Sequence, residues 1–243
     1  MNPPADTTAP KVDWWWAAGL AVAAALMRLV PYFPFFAQLS PEAQYLWNFT
    51  PVGALALFLG ARLRSTWAFA LPLASMAVSD VLLWWLWDLP PFNWSVYVSF
   101  LLYALGGCLL LRTASPWRVA AVSLLGSAQF FLLTNFGVWF RRSVDPGQLR
   151  AGDAVRIETV PGLHALDFTL DGSAVLREPE PNTPYFKFTY ARNLSGLGAC
   201  YAVALPFLRN TAAGDLVYSG LFFGVHAAVV AALAQRRKVS QPV

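Results

Sequence analysis

Long apolar runs, each carrying at most one charged residue, constrain this chain more than any other feature of its sequence. Residues 216–234 contain no charge, and Trp67–Trp87 contains only Asp80. A helix that crosses a lipid bilayer needs roughly 20 mainly apolar residues, which both runs provide. The sequence predicts five such spans, at residues 14–33, 67–87, 95–111, 117–140 and 216–234.

The low density of charge supports a membrane protein. Charged residues make up 12% of the chain, against about 25% in an ordinary soluble domain. The 11 tryptophans and 18 phenylalanines are typical of aromatic residues that gather at membrane interfaces. We therefore expect an all-α membrane protein in the lipid bilayer. We assign its net charge of +4 to membrane topology and not to nucleic acid binding.

Two further apolar runs, residues 51–61 and 197–208, are about half as long as a span. Each predicts a short tilted helix, a broken helix or a re-entrant segment. Basic residues mark cytoplasmic loops, and they alternate correctly along the chain if both termini are cytoplasmic. That arrangement needs an even number of crossings, so we count 51–61 as a crossing and 197–208 as a non-crossing segment. The sequence thus predicts about six transmembrane helices in the cell inner membrane, as a multi-pass protein.

Residues 141–195 differ in composition from the rest of the chain. They contain seven basic and seven acidic residues, and Asp171-Gly172 is a hairpin turn signal. We interpret them as a small extracytoplasmic β-rich insertion, with strand-like runs at 154–160, 164–170, 174–177 and 185–190. The predicted organisation is a cytoplasmic tail at 1–13, transmembrane helices 1–5 at 14–140, the insertion at 141–195, a short apolar segment with the last transmembrane helix at 196–234, and a cytoplasmic tail at 235–243.

A few polar residues lie inside or beside the predicted spans, and the topology places them in the outer half of the bundle. An ionised side chain in hydrocarbon costs several kcal/mol, so it must face a partner or a wet cavity. The simplest arrangement is a polar pocket that binds a small polar solute. The candidate ligand-binding residues are Arg28, Asn48, Thr50, Asp80, Asn135, Trp139, Arg209, Asn210 and Asp215.

The same residues also fit structural roles. A pair such as Arg28 with Asp80 can pin two helices together without binding a ligand. Thr50 and Asp215 occupy favourable N-cap positions, and Asn135 can bond to a neighbouring helix. The sequence alone leaves both interpretations open.

Ala17, Ala21 and Ala25 give the first span a face of small residues. A spacing of four places them on one side of a helix, which lets another helix approach closely. This face predicts either internal packing or the docking of a partner subunit.

No motif in the sequence indicates catalysis, a cofactor or a metal. The two cysteines, Cys108 and Cys200, form neither a disulfide framework nor a metal-binding pattern. A membrane enzyme that uses Asp80 and Asp215 as paired carboxylates is a third alternative, without a supporting spacing. We therefore predict no catalytic residues, no cofactor and no metal.

Several motifs resemble those of an uncharacterised family of small multi-spanning bacterial membrane proteins. They lie at residues 28–31, 48–61, 72–80, 134–139 and 200–215.

The sequence departs from that family in two places. In the family, Pro-His-Pro-Pro runs directly into Asn-Phe, whereas residues 32–47 intervene here and the histidine is missing. The insertion at 141–195 is also larger than the family usually carries, so it is a candidate cover for the pocket or a surface for an external partner.

The layout of that family is similar to the S components of energy-coupling-factor (ECF) transporters. The resemblance implies a six-helix bundle that binds a small ligand near its outer face. It also implies docking through small residues of the first helix onto an energising transport module. Because the sequence contains no ATPase motif, our leading hypothesis is a solute-capture subunit that depends on such a module. The alternative is a structural or assembly protein whose insertion binds a partner.

Overall fold

The apolar runs form helices in the computed structural model, which describes residues 13–33, 48–63, 65–89, 92–145, 176–179 and 186–239. Three short strands accompany the helices in this part of the chain. The helices are α1 (Trp14–Leu29, followed by a 3-10 turn at Val30–Tyr32), α2 (Val52–Arg62), α3 (Trp67–Trp87), α4 (Trp94–Leu110), α5 (Pro116–Arg142) and α6 (Leu194–Val239). The strands are β1 (Ser143–Val144), β2 (Leu176–Pro179) and β3 (Phe186–Ala191).

Polar residues set the ends of several helices. The Asn93 side chain accepts a hydrogen bond from the Ser95 amide at the start of α4, with an N–O distance of 3.3 Å. Ser115 does the same for the Arg118 amide at the start of α5, also at 3.3 Å. Asp88 ends α3 in the left-handed conformation, with φ of 55°. The Asn93 and Ser115 side chains satisfy helix-end amides that an apolar side chain would leave unpaired.

The protein is mainly helical, and in its described residues four helices are long and apolar enough to cross a membrane. They are Trp14–Tyr32, Trp67–Trp87, Pro116–Arg142 and Phe207–Arg236. The apolar helices Val52–Arg62 and Trp94–Leu110 are shorter. Many large apolar side chains on the long helices are exposed, as expected for surfaces that face lipid.

α2 lies at the centre of the bundle. Each of its residues from Val52 to Gly60 is buried, although the helix has only 11 residues and is about 16 Å long. Its backbone approaches that of α4 closely at two glycines. A Cβ built on Gly107 would lie 2.8 Å from the carbonyl carbon of Leu57, and one on Gly60 would lie 2.9 Å from that of Ala104.

The apolar run at 197–208 is neither a separate short helix nor a re-entrant segment. It lies within α6, a continuous helix of 46 residues that is about 69 Å long. Asn193 precedes the helix, and its side chain accepts a hydrogen bond from the Gly196 amide at 2.8 Å. The apolar run ends at Arg209 and Asn210. Neither residue type stops a helix, so α6 continues beyond the end of the apolar run.

A small sheet lies against the adjoining ends of α5 and α6. β3 is its central strand, paired parallel with β1 and antiparallel with β2. The Trp139 indole donates a hydrogen bond to the Ala191 carbonyl at 3.0 Å, and Arg192 donates one to the Ser143 carbonyl at 2.9 Å. The predicted strands at 154–160 and 164–170 lie outside the described residues.

Candidate functional site

Two buried aspartates lie on different sides of α4. Asp80 on α3 is 7% exposed, and Asp215 on α6 is 2% exposed. The Tyr97 hydroxyl donates to Asp80 Oδ2 at 2.8 Å, and the Tyr103 hydroxyl donates to Asp215 Oδ2. The two tyrosines are six residues apart on α4, which separates them by about 9 Å along the axis and turns them to different faces. The predicted polar layer is therefore divided into two clusters, and the aspartates do not form a carboxylate pair.

In the first cluster, Asp80 has a partner for each oxygen. Arg28 of α1 forms an ion pair with Oδ1, and Tyr97 contacts Oδ2. The same guanidinium nitrogen donates to Ser79 Oγ at 2.8 Å. This arrangement neutralises the Asp80 charge and links α1, α3 and α4, which is the structural role that the sequence left open.

In the second cluster, two hydroxyls contact one oxygen of Asp215. Ser127 Oγ of α5 lies 2.7 Å from Oδ2, the same oxygen that accepts from Tyr103. Oδ1 lies against Gly53 in the first turn of α2, where any Cβ would overlap with it. Within the described chain, no Lys or Arg lies within ion-pair distance of Asp215. Among the described groups, hydroxyl dipoles and the partial positive charge of the α2 N-terminus are what would offset a negative charge on Asp215.

Two glycines and two phenylalanines fix the Tyr103 ring. A Cβ on Gly53 would lie 3.1 Å from Tyr103 Cε1, and a Cβ on Gly126 would lie 2.8 Å from Cδ1. The centroids of Phe100 and Phe130 lie 5.9 Å and 6.4 Å from that of Tyr103. Because the ring has little room to move, its hydroxyl is held in position toward Asp215.

A small pocket lies between Asp215 and the N-terminal end of α2. Its cavity volume is about 30 Å³, which is room for one or two water molecules. Pockets for organic ligands usually measure about 300–1,000 Å³. The space therefore suits a small ion, water or a single polar group. The lining residues are Asn48, Thr50, Gly53, Phe100, Tyr103, Phe130, Thr211 and Asp215.

Of the predicted site residues, Asn48, Thr50 and Asp215 meet at this pocket. Asn48 has a positive φ of 63°, a conformation that asparagine tolerates better than most residues. Arg209 and Asn210 precede Asp215 on α6, where they do not belong to the pocket lining.

Asn135 and Trp139 lie near the sheet and not at the pocket. The Asn135 amide donates to the Phe131 carbonyl of its own helix at 2.8 Å. Cys200 packs in the same region, with Sγ 3.4 Å from the Asn135 carbonyl oxygen. Its burial raises the pKa of the Cys200 thiol to about 11, which is typical of an unreactive buried cysteine.

The small-residue face of α1 is packed inside the protein. Ala17, Ala21 and Ala25 are each at most 6% exposed. Ser75 Oγ of α3 donates to the Ala21 carbonyl at 2.8 Å, so α3 covers this face. The three alanines are not available to a partner subunit in this conformation.

Sequence reasoning missed most of the residues that shape the pocket. A usable signal was present, since hydroxyl residues recur at intervals of four on α4 (Ser95, Ser99, Tyr103) and on α5 (Ser123, Ser127). That spacing places them on one face of each helix. The pocket and Asp215 contacts that were not predicted are Gly53, Phe100, Tyr103, Ser127, Phe130 and Thr211.

A family model matches residues 8–151 and 181–239 of this chain. The match omits 152–180, which lie inside the segment interpreted as an insertion, and it includes both aspartates and every residue that lines the pocket. Comparisons with curated proteins and with solved structures find no match. The chain therefore belongs to DUF6580, a family of unknown function.

Proposed function

We propose that this protein is a solute-capture subunit of a membrane transporter, with its binding site at the Asp215 pocket. The observation that supports this role is a buried carboxylate that faces a pocket within apolar helices. A charge in such a position needs a partner or a wet cavity, and residues of this kind mark substrate or ion pathways. An energising transport module is the proposed partner. The pocket has room for one small polar group. It would therefore hold only the innermost part of a bound solute, and we call it the floor of the site.

The proposed topology has six crossings, with both termini in the cytoplasm of a bacterial cell. It is supported by the arginines at the α2–α3 and α4–α5 turns, which lie at the same end of the bundle. Arg62 donates to the carbonyls of Leu111 and Arg112 at 3.2 and 3.3 Å, and Arg118 donates to the Leu110 carbonyl at 2.8 Å. Positive charge at one end is expected on the cytoplasmic side.

This orientation sets the depth of the pocket. α2 runs from the pocket to the arginine end and is about 16 Å long. Since the hydrocarbon core is about 30 Å thick, the pocket lies near the middle of the bilayer. Binding sites formed by half-length helices at this depth are common in transporters.

The test is a thermal-shift screen of small polar solutes on the purified protein in detergent. The variants are Asp215→Asn and, as a matched control, Asp88→Asn at the exposed end of α3. A solute at about 100 times its dissociation constant adds about 2.7 kcal/mol, which raises Tm by about 5–10 °C for a chain of this size. We expect this rise in the wild type and in Asp88→Asn but not in Asp215→Asn. A screen in which no solute distinguishes Asp215→Asn from the wild type would contradict the proposal.

A structural or assembly protein is the second candidate function. It is favoured by the Arg28–Asp80 cluster, which links three helices and needs no ligand to explain it. The sheet, anchored on α5 and α6, would then carry the surface for the partner.

A further inference from the structure

The lack of a cationic partner for the buried Asp215 carboxyl group is the feature of the described residues that most needs an explanation. Asp80 is also a buried carboxylate, and Arg28 neutralises it. Among the described residues, Asp215 has two hydroxyl donors, both at Oδ2, and the α2 N-terminus contributes at most about half a positive charge. None of the described Lys or Arg side chains forms an ion pair with Asp215. A bound cation would complete the neutralisation.

The pocket beside Asp215 presents oxygen atoms that suit a small cation. Thr211 Oγ1 donates its proton to the Phe207 carbonyl at 3.0 Å, so its lone pairs are available to a ligand. Among the described residues, the side chains of Asn48 and Thr50 form no hydrogen bond, and both line the same space. Carboxylate, hydroxyl and amide oxygens are the ligands that hard cations prefer.

We propose that the Asp215 pocket binds a partly dehydrated monovalent cation, Na⁺. Asp215 Oδ1 supplies the charge, and the oxygens of Asn48, Thr50 and Thr211 complete the coordination together with water. This inference rests on the proposed function, because it assigns the occupant of the floor of the same site. The ion is either the transported solute or the partner of a solute bound above it.

The charge of the site favours a monovalent ion over a divalent one. Sites for Ca²⁺ and Mg²⁺ usually combine more than one carboxylate or a substrate phosphate. Among the described residues that line the pocket, Asp215 is the only acidic one. One carboxylate and one Na⁺ give a neutral site, which is the state that a low-dielectric environment favours.

The test measures Tm of the purified protein while NaCl is replaced stepwise by choline chloride at constant ionic strength and pH. We expect a saturable rise in Tm with Na⁺ and a weaker rise with K⁺. The Asp215→Asn variant should lose the Na⁺ dependence, whereas Asp88→Asn should retain it.

A second pair of variants tests the site without removing the carboxylate. Thr211→Val deletes the pocket hydroxyl at nearly constant volume, and we expect Na⁺ affinity to fall about tenfold. Thr134→Val is the control, since Thr134 makes the same type of bond within its helix, to the Phe130 carbonyl at 2.7 Å, and does not line the pocket. If Asp215→Asn does not fold, this pair decides the question.

The outcomes separate this inference from the proposed function. Equal Tm values in NaCl and choline chloride would overturn the sodium site, whatever the solute screen finds. A Tm that does not respond to Na⁺ but has a pH dependence that Asp215→Asn removes would also overturn it and would assign the site to a proton. A third outcome is that the solute screen finds no hit while Na⁺ binding is saturable and Asp215→Asn abolishes it. This outcome would support the sodium site and reject an organic solute.

Discussion

At the residue scale, Asp80 and Asp215 are the same side chain in two different surroundings. Each accepts a hydrogen bond from a tyrosine of α4, and each is more than nine-tenths buried. The difference is the arginine that Asp80 has and Asp215 lacks. An ion pair between helices holds them together, while a carboxylate that faces a pocket is available to a ligand. This contrast is the reason that we propose a structural role for Asp80 and a binding role for Asp215.

Removing one member of the Arg28–Asp80 pair should destabilise the protein strongly. Arg28→Met leaves the Asp80 charge buried without its partner, and we expect a loss of about 3 kcal/mol in the free energy of unfolding. Adding Asp80→Asn removes the stranded charge and keeps an acceptor for Tyr97, so most of the loss should be recovered. Tm of the two variants in detergent gives the comparison. A double variant no more stable than Arg28→Met would show that the pair is not the source of the effect.

At the element scale, the sequence predicted the helices better than it predicted their contacts. The apolar run Trp67–Trp87 has the same bounds as α3, because lipid requires both apolarity and a complete set of backbone hydrogen bonds. The run at 197–208 was misinterpreted, because apolarity ended at Arg209 while the helix continued. Counting residues from the start of a span predicts the depth of a polar side chain in the membrane. It does not predict toward which neighbouring helix that side chain points. For this reason the site was predicted as one layer and is divided by α4.

The close crossing of α2 and α4 depends on the absence of a side chain at Gly60 and at Gly107. In Gly107→Ala the new Cβ would meet the Leu57 backbone, with its carbonyl carbon at 2.8 Å, and a backbone cannot rotate away as a side chain can. We expect a loss of about 1–3 kcal/mol from the forced separation of the helices. Gly106→Ala is the neighbouring control, since its Cβ would lie 3.8 Å from the nearest atom, the Leu57 Cδ2.

The control should be neutral or more stable, because alanine favours a helix over glycine by about 1 kcal/mol. Thermal unfolding of both variants in the same detergent measures the difference. If Gly107→Ala were as stable as Gly106→Ala, the two helices would not be in backbone contact.

At the scale of the whole molecule, the site and the sheet are built from different parts of the chain. The pocket residues lie on α2, α4, α5 and α6 and on the segment just before α2. β1 and β3 pair next to the ends of α5 and α6, and the family match resumes at residue 181 after omitting 152–180. The part of the fold that the family shares therefore contains the complete described pocket.

Deleting 152–180 and joining the ends with a short flexible linker separates the two candidate functions. We expect the deletion variant to keep the Na⁺-dependent and solute-dependent rise in Tm, because every residue that lines the pocket lies outside the deleted stretch. β2 is removed, but the hydrogen bonds of Trp139 and Arg192 that anchor the sheet stay. Affinity purification of the wild type and the variant from the same membranes provides the second measurement. If the variant loses a copurifying partner but keeps its Tm shifts, the assembly function is supported. If it loses the Tm shifts but still unfolds cooperatively, the site depends on the deleted stretch.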